Sequence, residues 1–483
     1  MFPSGKIFVL TNVCQDTPVC SFIKIRIDRV IRSWAGGHVR LAILLLLAAF
    51  QSVLAQADTP STPINSLWQA YQHAIDIDPV LAEASALDHA SRAEHRQAVA
   101  NLLPQFSLDG RYQQNFSSTT YDNNSIPNAS NQSDSYLASL TVSQSLIDLK
   151  RWAERGAASA GAEWGEKQLS LAEQDFILRL ADSYFGYLQK EEQLNAIRAE
   201  KFALVESRDR AQLAFRIGTA SITDKLESEA RLDVAAAEEI NAINDLATAR
   251  HDLKLITGTD IGHLKRLPEG AIVALKSPSS LEEVSRTAQT HNLILTMASL
   301  DLEKANHELG AVKAIRYPSL NLFAQASKQS QYISSLDAQS TSGNQVAGVS
   351  LSMPLFTSGL NTFKVQASRA RAKAKSHRLN QAKRTIESDV QRKYNSLESA
   401  NSMVKALARA LKSSESALEA TRKGLDAGIR DNADLLDAQN QYFSVRKDFI
   451  VARYNRILTL LRLKQIMGIL SSEDLAEIDG YLR

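Results

Sequence analysis

Polar and apolar positions along this chain change period twice, in the same order in each half. From Gln105 the even positions Phe106, Leu108, Tyr112 and Phe116 are apolar, interrupted by Gly110, while Ser107, Asp109, Arg111, Gln113 and Asn115 are polar. A period of two predicts a strand over 105–116. Tyr136, Ala138, Leu140, Val142 and Leu146 alternate with serines and Thr141, which predicts a second strand over 136–147. The later half repeats the theme with Leu320, Leu322, Ala324 and Ala326, then Ala347, Val349, Leu351, Met353 and Leu355, predicting strands over 319–329 and 345–356.

After each strand pair the period returns to that of a helix. Helices are predicted over 148–217 and 360–427, each followed by one half as long, over 222–256 and 432–466. At 1.5 Å per residue the long helices extend about 100 Å. The second carries Leu397, Ala400, Val404, Leu407, Leu411, Ser414, Leu418, Thr421 and Leu425 at alternating spacings of three and four, a coiled-coil seam. Ala242, Leu246, Ala249, Leu253 and Ile256 continue that spacing on the first short partner. Before each strand pair lies one helical stretch, Leu67 to Asn101 and Leu281 to Ile315, stopped by Pro104 and Pro318.

The recurrence is an internal duplication. Ser66-Leu67 returns as Ser280-Leu281, Leu103-Pro104 as Tyr317-Pro318, Gly218 as Gly428, and Ile256-Thr257-Gly258 as Ile466-Met467-Gly468. The period is far longer than the roughly 20–50 residues of a solenoid repeat, so it marks a duplicated domain. The expected organisation is a first repeat over 58–279, a second over 280–470, and a short polar tail over 471–483.

Composition narrows the class. Aromatics make up 6% of the chain, and there are only 20 Gly and 11 Pro, as expected for long helices. A net charge of +2 leaves no nucleic-acid footprint. Residues 1–57 read as a secretory signal peptide with a long n-region: six basic against two acidic side chains, the apolar run Leu41 to Phe50, then Ala55-Gln56-Ala57. The apolar run is shorter than the roughly 20 residues that span a bilayer. Cys14 and Cys20 both precede it, so the mature chain is expected to hold no disulfide and no cysteine to acylate.

A secreted chain without an apolar helix, carrying strands of membrane-spanning length with one apolar face, points to an outer-membrane β-barrel. Soluble hairpins with one solvated face are the alternative. Four strands cannot close a barrel, and an open edge cannot face lipid, so the membrane reading requires several copies. The polar stretches Ser117 to Ser135 and Ser330 to Asn344 are then expected as long extracellular loops. Arg369 to Lys375, basic residues alternating with alanine, reads as a solvated helix face, with lipid headgroup contact the other option.

Catalytic and metal-binding patterns are missing. The histidines are dispersed without metal-ligand spacing, and there is no phosphate-binding loop, dinucleotide fingerprint or nucleophile elbow. No enzyme, no metal and no cofactor is expected. The remaining chemistry lies at the two glycine corners. Gly428 is followed by Arg430, Asp434 and Asp437, the acids sharing a helix face at i, i+3; Phe215-Arg216-Ile217-Gly218 with Thr223 and Asp224 forms a partial earlier copy. A solvated helix–turn–helix corner is the plain reading of either copy alone.

Three stretches make the chain resemble the TolC family of outer-membrane channel-tunnels: FRIGTASITDKLESEARLD from Phe215, SMPLFTSG from Ser352, and AGIRDNADLLDAQ from Ala427. ARYN from Ala452 and SEDL from Ser472 are also close, and the resemblance covers Ser66 to Leu482. It implies a mainly α fold with membrane β: a homotrimer whose 12-stranded barrel, four strands per protomer, stands in outer-membrane lipid on an α-helical tunnel through the periplasm. It implies a passive exit duct joined by a periplasmic adaptor (membrane fusion) protein to an inner-membrane ABC or RND-type transporter. Type I protein secretion is the expected pathway and efflux of drugs or other small molecules the alternative; a periplasmic coiled-coil adaptor or scaffold is the alternative of a different class. By position, Arg430 is implied to link to Thr223 and Asp224 of the neighbouring coil, and Asp434 and Asp437 to ring the constriction. Where the resemblance implies a gate tyrosine, the chain has Leu425.

Overall fold

The computed structural model describes residues 64–122, 129–268, 270, 278, 280–333 and 337–483. The signal peptide expected over 1–57 lies outside them. Residues from Pro63 onward form one compact unit. Its elements are α1 (Leu67–Ala74), α2 (Pro79–Ala100), β1 (Gln105–Thr119), β2 (Ala129–Ile147), α3 (Leu149–Arg216) and α4 (Ile222–Thr257), then α5 (Leu281–His291), α6 (Leu293–Ala314), β3 (Ser319–Ile333), β4 (Ala338–Ser352), α7 (Leu360–Asp426), α8 (Asn432–Ile466) and α9 (Ser472–Asp479). The order helix, helix, strand, strand, long helix, half-length helix is followed twice.

The helical stretch predicted before each hairpin is broken in two. Asp78 takes an extended backbone, as residues before proline do, and its Oδ1 accepts from Leu81 N at 2.8 Å to start α2. The second break has no proline. Asn292 caps α6 through Leu295 N at 2.9 Å and donates its Nδ2 to the Ile466 carbonyl at 2.7 Å. Gly468 closes over the same break: a Cβ there would lie 2.1 Å from the His291 carbonyl oxygen, so only glycine permits the approach.

The strands form one antiparallel sheet in the order β1-β2-β3-β4, with β2 joining the first half to β3 of the second. Its register aligns Phe106, Val142, Ala324 and Ala347 in one row and Leu108, Leu140, Ala326 and Gln345 in the next, which builds a continuous apolar face. Serine, threonine, asparagine and glutamine dominate the other face, where Asp109 and Arg111 are the only charges among the described residues. β1 and β4 each keep an unpaired outer edge.

Strand limits differ from the expected ones. β1 runs on to Thr119, β2 starts at Ala129 instead of 136, β3 runs on to Ile333 and β4 starts at Ala338 instead of 345. Most of the stretches expected as long loops is therefore sheet. Beyond the Tyr112–Tyr136 pair both faces are largely polar, so the ladder continues where hydrophobic alternation has ended. β4 stops at Ser352, not 356, because Pro354 carries no N–H for a ladder.

α3 and α7 span 68 and 67 residues, about 100 Å each. α3 packs against α4 and α7 against α8. Every seam position from Leu397 to Leu425 is buried or half-buried, as are the five on α4. The main core lies part-way along the rods, where Phe176, Leu180, Tyr184 and Leu188 of α3 meet Tyr454, Ile457 and Leu461 of α8, together with Leu67 and Leu264. Inside it, Tyr454 donates to Glu192 at 2.5 Å and Arg453 reaches the Pro268 carbonyl at 2.8 Å; burial raises the Glu192 pKa against the pull of Tyr454 and Arg453.

The tail expected to be polar is docked into this core. Leu475, Ile478 and Leu482 are buried, and Arg483 exchanges two 2.9 Å backbone hydrogen bonds with Arg266. Leu475 and Ile478, at i and i+3, give the short helix one buried face, and Leu482 just beyond its end is buried with them; the acidic residues of the helix obscure this in the sequence. Leu475→Ala is expected to destabilise the solubilised protein by about 2–5 kcal/mol, read as a lower thermal midpoint; an unchanged midpoint would mean that the tail is not part of the core.

Candidate functional site

The two corners are built alike. At the second, the Gly424 carbonyl accepts from Ile429 N at 2.9 Å and from Arg430 N at 3.2 Å, while Gly428 turns the chain with φ 73°. At the first, Thr219 N donates to the Ala214 carbonyl at 2.9 Å, and Gly218 has φ 78°. A capping box then starts each following helix. Ser221 and Asp224 exchange hydrogen bonds of 2.9 and 3.1 Å, and Asp431 and Asp434 exchange bonds of 2.8 and 3.3 Å. Asp224 and Asp434, singled out in the sequence for their charge, thus hold helix ends.

The other singled-out residues fall around these caps. Within the chain Arg430 lies 3.5 Å from Asp434. Its stem crosses Gly424, where a Cβ would come within 2.8 Å of the Arg430 Cγ, so the small residue seats the arginine. Thr223 is exposed in the first turn of α4, and Leu425 is half-buried in the seam of α7. Asp437 is not bare: Arg231 of α4 donates to it at 3.0 Å while lying 3.5 Å from Glu227. The neighbouring Asn432 Nδ2 donates to the buried Ser228 Oγ at 2.9 Å, and Ser228 passes its proton donation to the Asp224 carbonyl at 2.8 Å. These contacts set the Thr223–Asp224 corner beside the Arg430–Asp437 corner.

A second group joins α3 to α7 just behind the corners. Glu206 accepts from Arg422 at 2.5 Å and from Arg210 at 3.4 Å, and Arg210 also reaches Asp426 at 3.3 Å. Further back, Ser207 and Gln439 form a buried hydrogen-bonded pair, and Lys447 bridges Glu200 at 3.3 Å and Glu238 at 3.2 Å. Burial raises the Glu200 pKa, with the Lys447 ammonium opposing it. Sequence reasoning missed Glu206, Arg231 and Arg422. Each is a charged residue on a mostly charged helix face, and only tertiary packing distinguishes it from its neighbours.

Next to the corners themselves the charged contacts Arg430–Asp434, Arg231–Asp437 and Glu206–Arg422 are exposed ion pairs, each worth about 0–1 kcal/mol. Such contacts hold a geometry without locking it. Together with a four-stranded sheet of apolar face and rods of about 100 Å, they define one protomer of a channel built from strands at one end and coiled helices at the other.

The pattern of the outer membrane efflux protein family matches residues 70–259 and 284–469, the two halves of the duplication. The outer membrane protein TolC of Vibrio cholerae is 29% identical over 91% of this chain and 98% of its own. The alkaline protease secretion protein AprF of Pseudomonas aeruginosa is 26% identical over 85% of each chain. A solved structure of CusC, described as forming a transmembrane channel, superposes with a TM-score of 0.72 at 19% identity, over 86% of this chain and 95% of that one. The chain belongs to the outer membrane efflux protein family. Its place is the outer membrane, with the helices extending into the periplasm.

The capping boxes carry a direct consequence. Asp431→Ala is expected to cost about 1 kcal/mol and to speed amide exchange in the first turn of α8. Exchange as slow as in the parent would mean that the box does not hold that turn.

Proposed function

We propose that three copies of this chain close into one barrel and one tunnel, which serves as a passive exit duct across the periplasm and outer membrane. The observation that carries this reading is the sheet itself: four strands with one apolar face and two unpaired edges. In lipid those edges have to be paired by other copies, and three sets of four give a 12-stranded barrel. Exposed apolar residues on α4 (Leu226, Val234, Ile240 and Ile243) give the helices a face for neighbouring protomers. On this reading the chain is not an enzyme. Energy is supplied by an inner-membrane transporter, to which a periplasmic adaptor protein couples the duct.

The two corners form the periplasmic gate in this proposal. Between protomers, Arg430 of one copy meets Thr223 and Asp224 of the next, exchanging its exposed 3.5 Å contact with Asp434 for that link. Asp434 and Asp437 face the constriction, and the Arg231 contact at 3.0 Å tempers the negative charge of Asp437. Leu425 supplies packing but no hydroxyl to the closed state. Because each link is weak and repeated by symmetry, a docked partner can loosen the gate without unfolding a helix. Arg430→Ser is expected to raise single-channel conductance in planar bilayers; conductance equal to the parent's would remove the Arg430 link from the gate.

Type I protein secretion is the favoured pathway. It is supported by the match along nearly the whole length to TolC and by AprF, a relative named for protease secretion. Small-molecule efflux is the second reading, favoured by the family pattern, described as outer membrane efflux protein, that matches both halves. A gene deletion is expected to abolish export of a secreted protein while leaving drug susceptibility nearly unchanged. Normal secretion with drug hypersensitivity would reverse the assignment.

A further inference from the structure

Among the described residues the apolar face of the sheet carries one cation, and the structure surrounds it with an unusual row. Lys328 of β3 pairs across with Ala138 on one side and Gly343 on the other, and Ala138 pairs in turn with Gly110. Gly110, Ala138, Lys328 and Gly343 therefore form a single row in which every other member is small. The row below holds Leu108, Leu140, Ala326 and Gln345, and the row above holds Tyr112, Tyr136, Ser330 and Thr341. Apart from Lys328 the row offers only backbone and one methyl group, with Leu108 and Leu140 below it and Tyr112 and Tyr136 above, so the face is notched. A groove of about 660 Å³ runs there, lined by Leu108, Ala138, Leu140, Ala326, Lys328 and Gly343 among others.

Lys328 has no ion-pair partner among the described residues and is exposed. The only acid among the described residues of this face is Asp134, four residues before the Lys328 partner Ala138 and so toward the hairpin end, about 13 Å away along the strands and one row beyond the reach of the lysine stem. A lysine on a lipid-facing surface extends its stem toward the nearer interface. Here the same face turns polar just beyond Tyr112 and Tyr136, at Gln114, Asp134 and Gln339, so that direction is toward the hairpin ends, away from the helices. Its stem spans about one same-face row of roughly 7 Å, which brings the ammonium level with the Tyr112–Tyr136 pair, whose ring centres lie 4.9 Å apart. Aromatic pairs of this kind sit at the headgroup level of membrane barrels. Polar donors cluster at the same height: Ser330 and Thr341 lie 3.3 Å apart, and Gln339 donates to Ser330 at 2.8 Å.

We propose that this groove is a binding site for a phosphate-bearing lipid of the outer leaflet, one acyl chain lying over the glycine–alanine row and the phosphate on Lys328. The proposal rests on the outer-membrane barrel reading, which sets which face meets lipid and which end is outermost. A charge-assisted contact between ammonium and phosphate supplies the headgroup preference. The notch supplies preference for acylated ligands over free phosphate, because inorganic phosphate gains nothing from the apolar rows.

The test uses the full chain in nanodiscs of a phosphate-free lipid, digalactosyldiacylglycerol, doped with lipid A or with the same lipid stripped of its phosphates, with retained lipid read by native mass spectrometry. The parent is expected to retain the phosphorylated form about tenfold better, a difference near 1.4 kcal/mol. Lys328→Gln should lose that preference, Lys328→Arg should keep it, and added inorganic phosphate should not release the lipid. Gly343→Leu, which fills the notch, should lower retention of both forms; if that variant does not fold, the lysine pair still decides. Equal retention by the parent and Lys328→Gln overturns the site, as does release by inorganic phosphate. Conductance of the same preparations keeps the two readings apart: conducting protein without the preference sinks only the lipid site, whereas protein that never enters a bilayer sinks the barrel as well.

Discussion

Backbone hydrogen bonding in lipid is the constraint on which the rest of this structure depends. A four-stranded sheet with one apolar face has two rows of unpaired N–H and C=O groups, and hydrocarbon offers them no partner. The proposed association of copies is a response to those edges before it is anything else. Once the strands of three copies form one wall, the helices leaving them are held in parallel, and their length of about 100 Å carries the two corners far from the membrane. The polar face of the sheet, rich in serine and glutamine, then lines a wet lumen.

Between strands and corners the chain invests its apolar side chains in one belt. Tyr184, Phe185 and Tyr454 are fully buried there, and Ile261, Leu264 and Leu267 after α4, the breaks at Asp78 and Asn292 and the C-terminal helix converge on it. Toward the corners buried apolar groups thin out, and ion pairs such as Glu206–Arg422 and Arg231–Asp437 take over. A rigid middle and a weakly tied end suit a duct that stays assembled while its far mouth changes shape.

Much of this was legible in the sequence because it rests on period. The seam from Leu397 to Leu425 reports a buried helix face directly, and the alternation from Phe106 to Phe116 reports the apolar, exposed face of a strand. What escaped has local or tertiary causes. Asn292 breaks a helix without proline or glycine, through a cap and a bond to the Ile466 carbonyl. The strands outrun their hydrophobic signal because polar residues pair as well as apolar ones once both faces are wet. At the corners the acids were visible but half of their work was not: Asp224 and Asp434 cap helices, and the partner of Asp437 comes from another helix.

The account stands on closure of the barrel by several copies, and the mass of the detergent-solubilised particle tests this most directly. Purified from the outer-membrane fraction and weighed by light scattering with the detergent contribution removed, the protein is predicted to have three times the mass of its mature chain. A chain recovered as a monomer from the soluble periplasm without detergent would contradict the account.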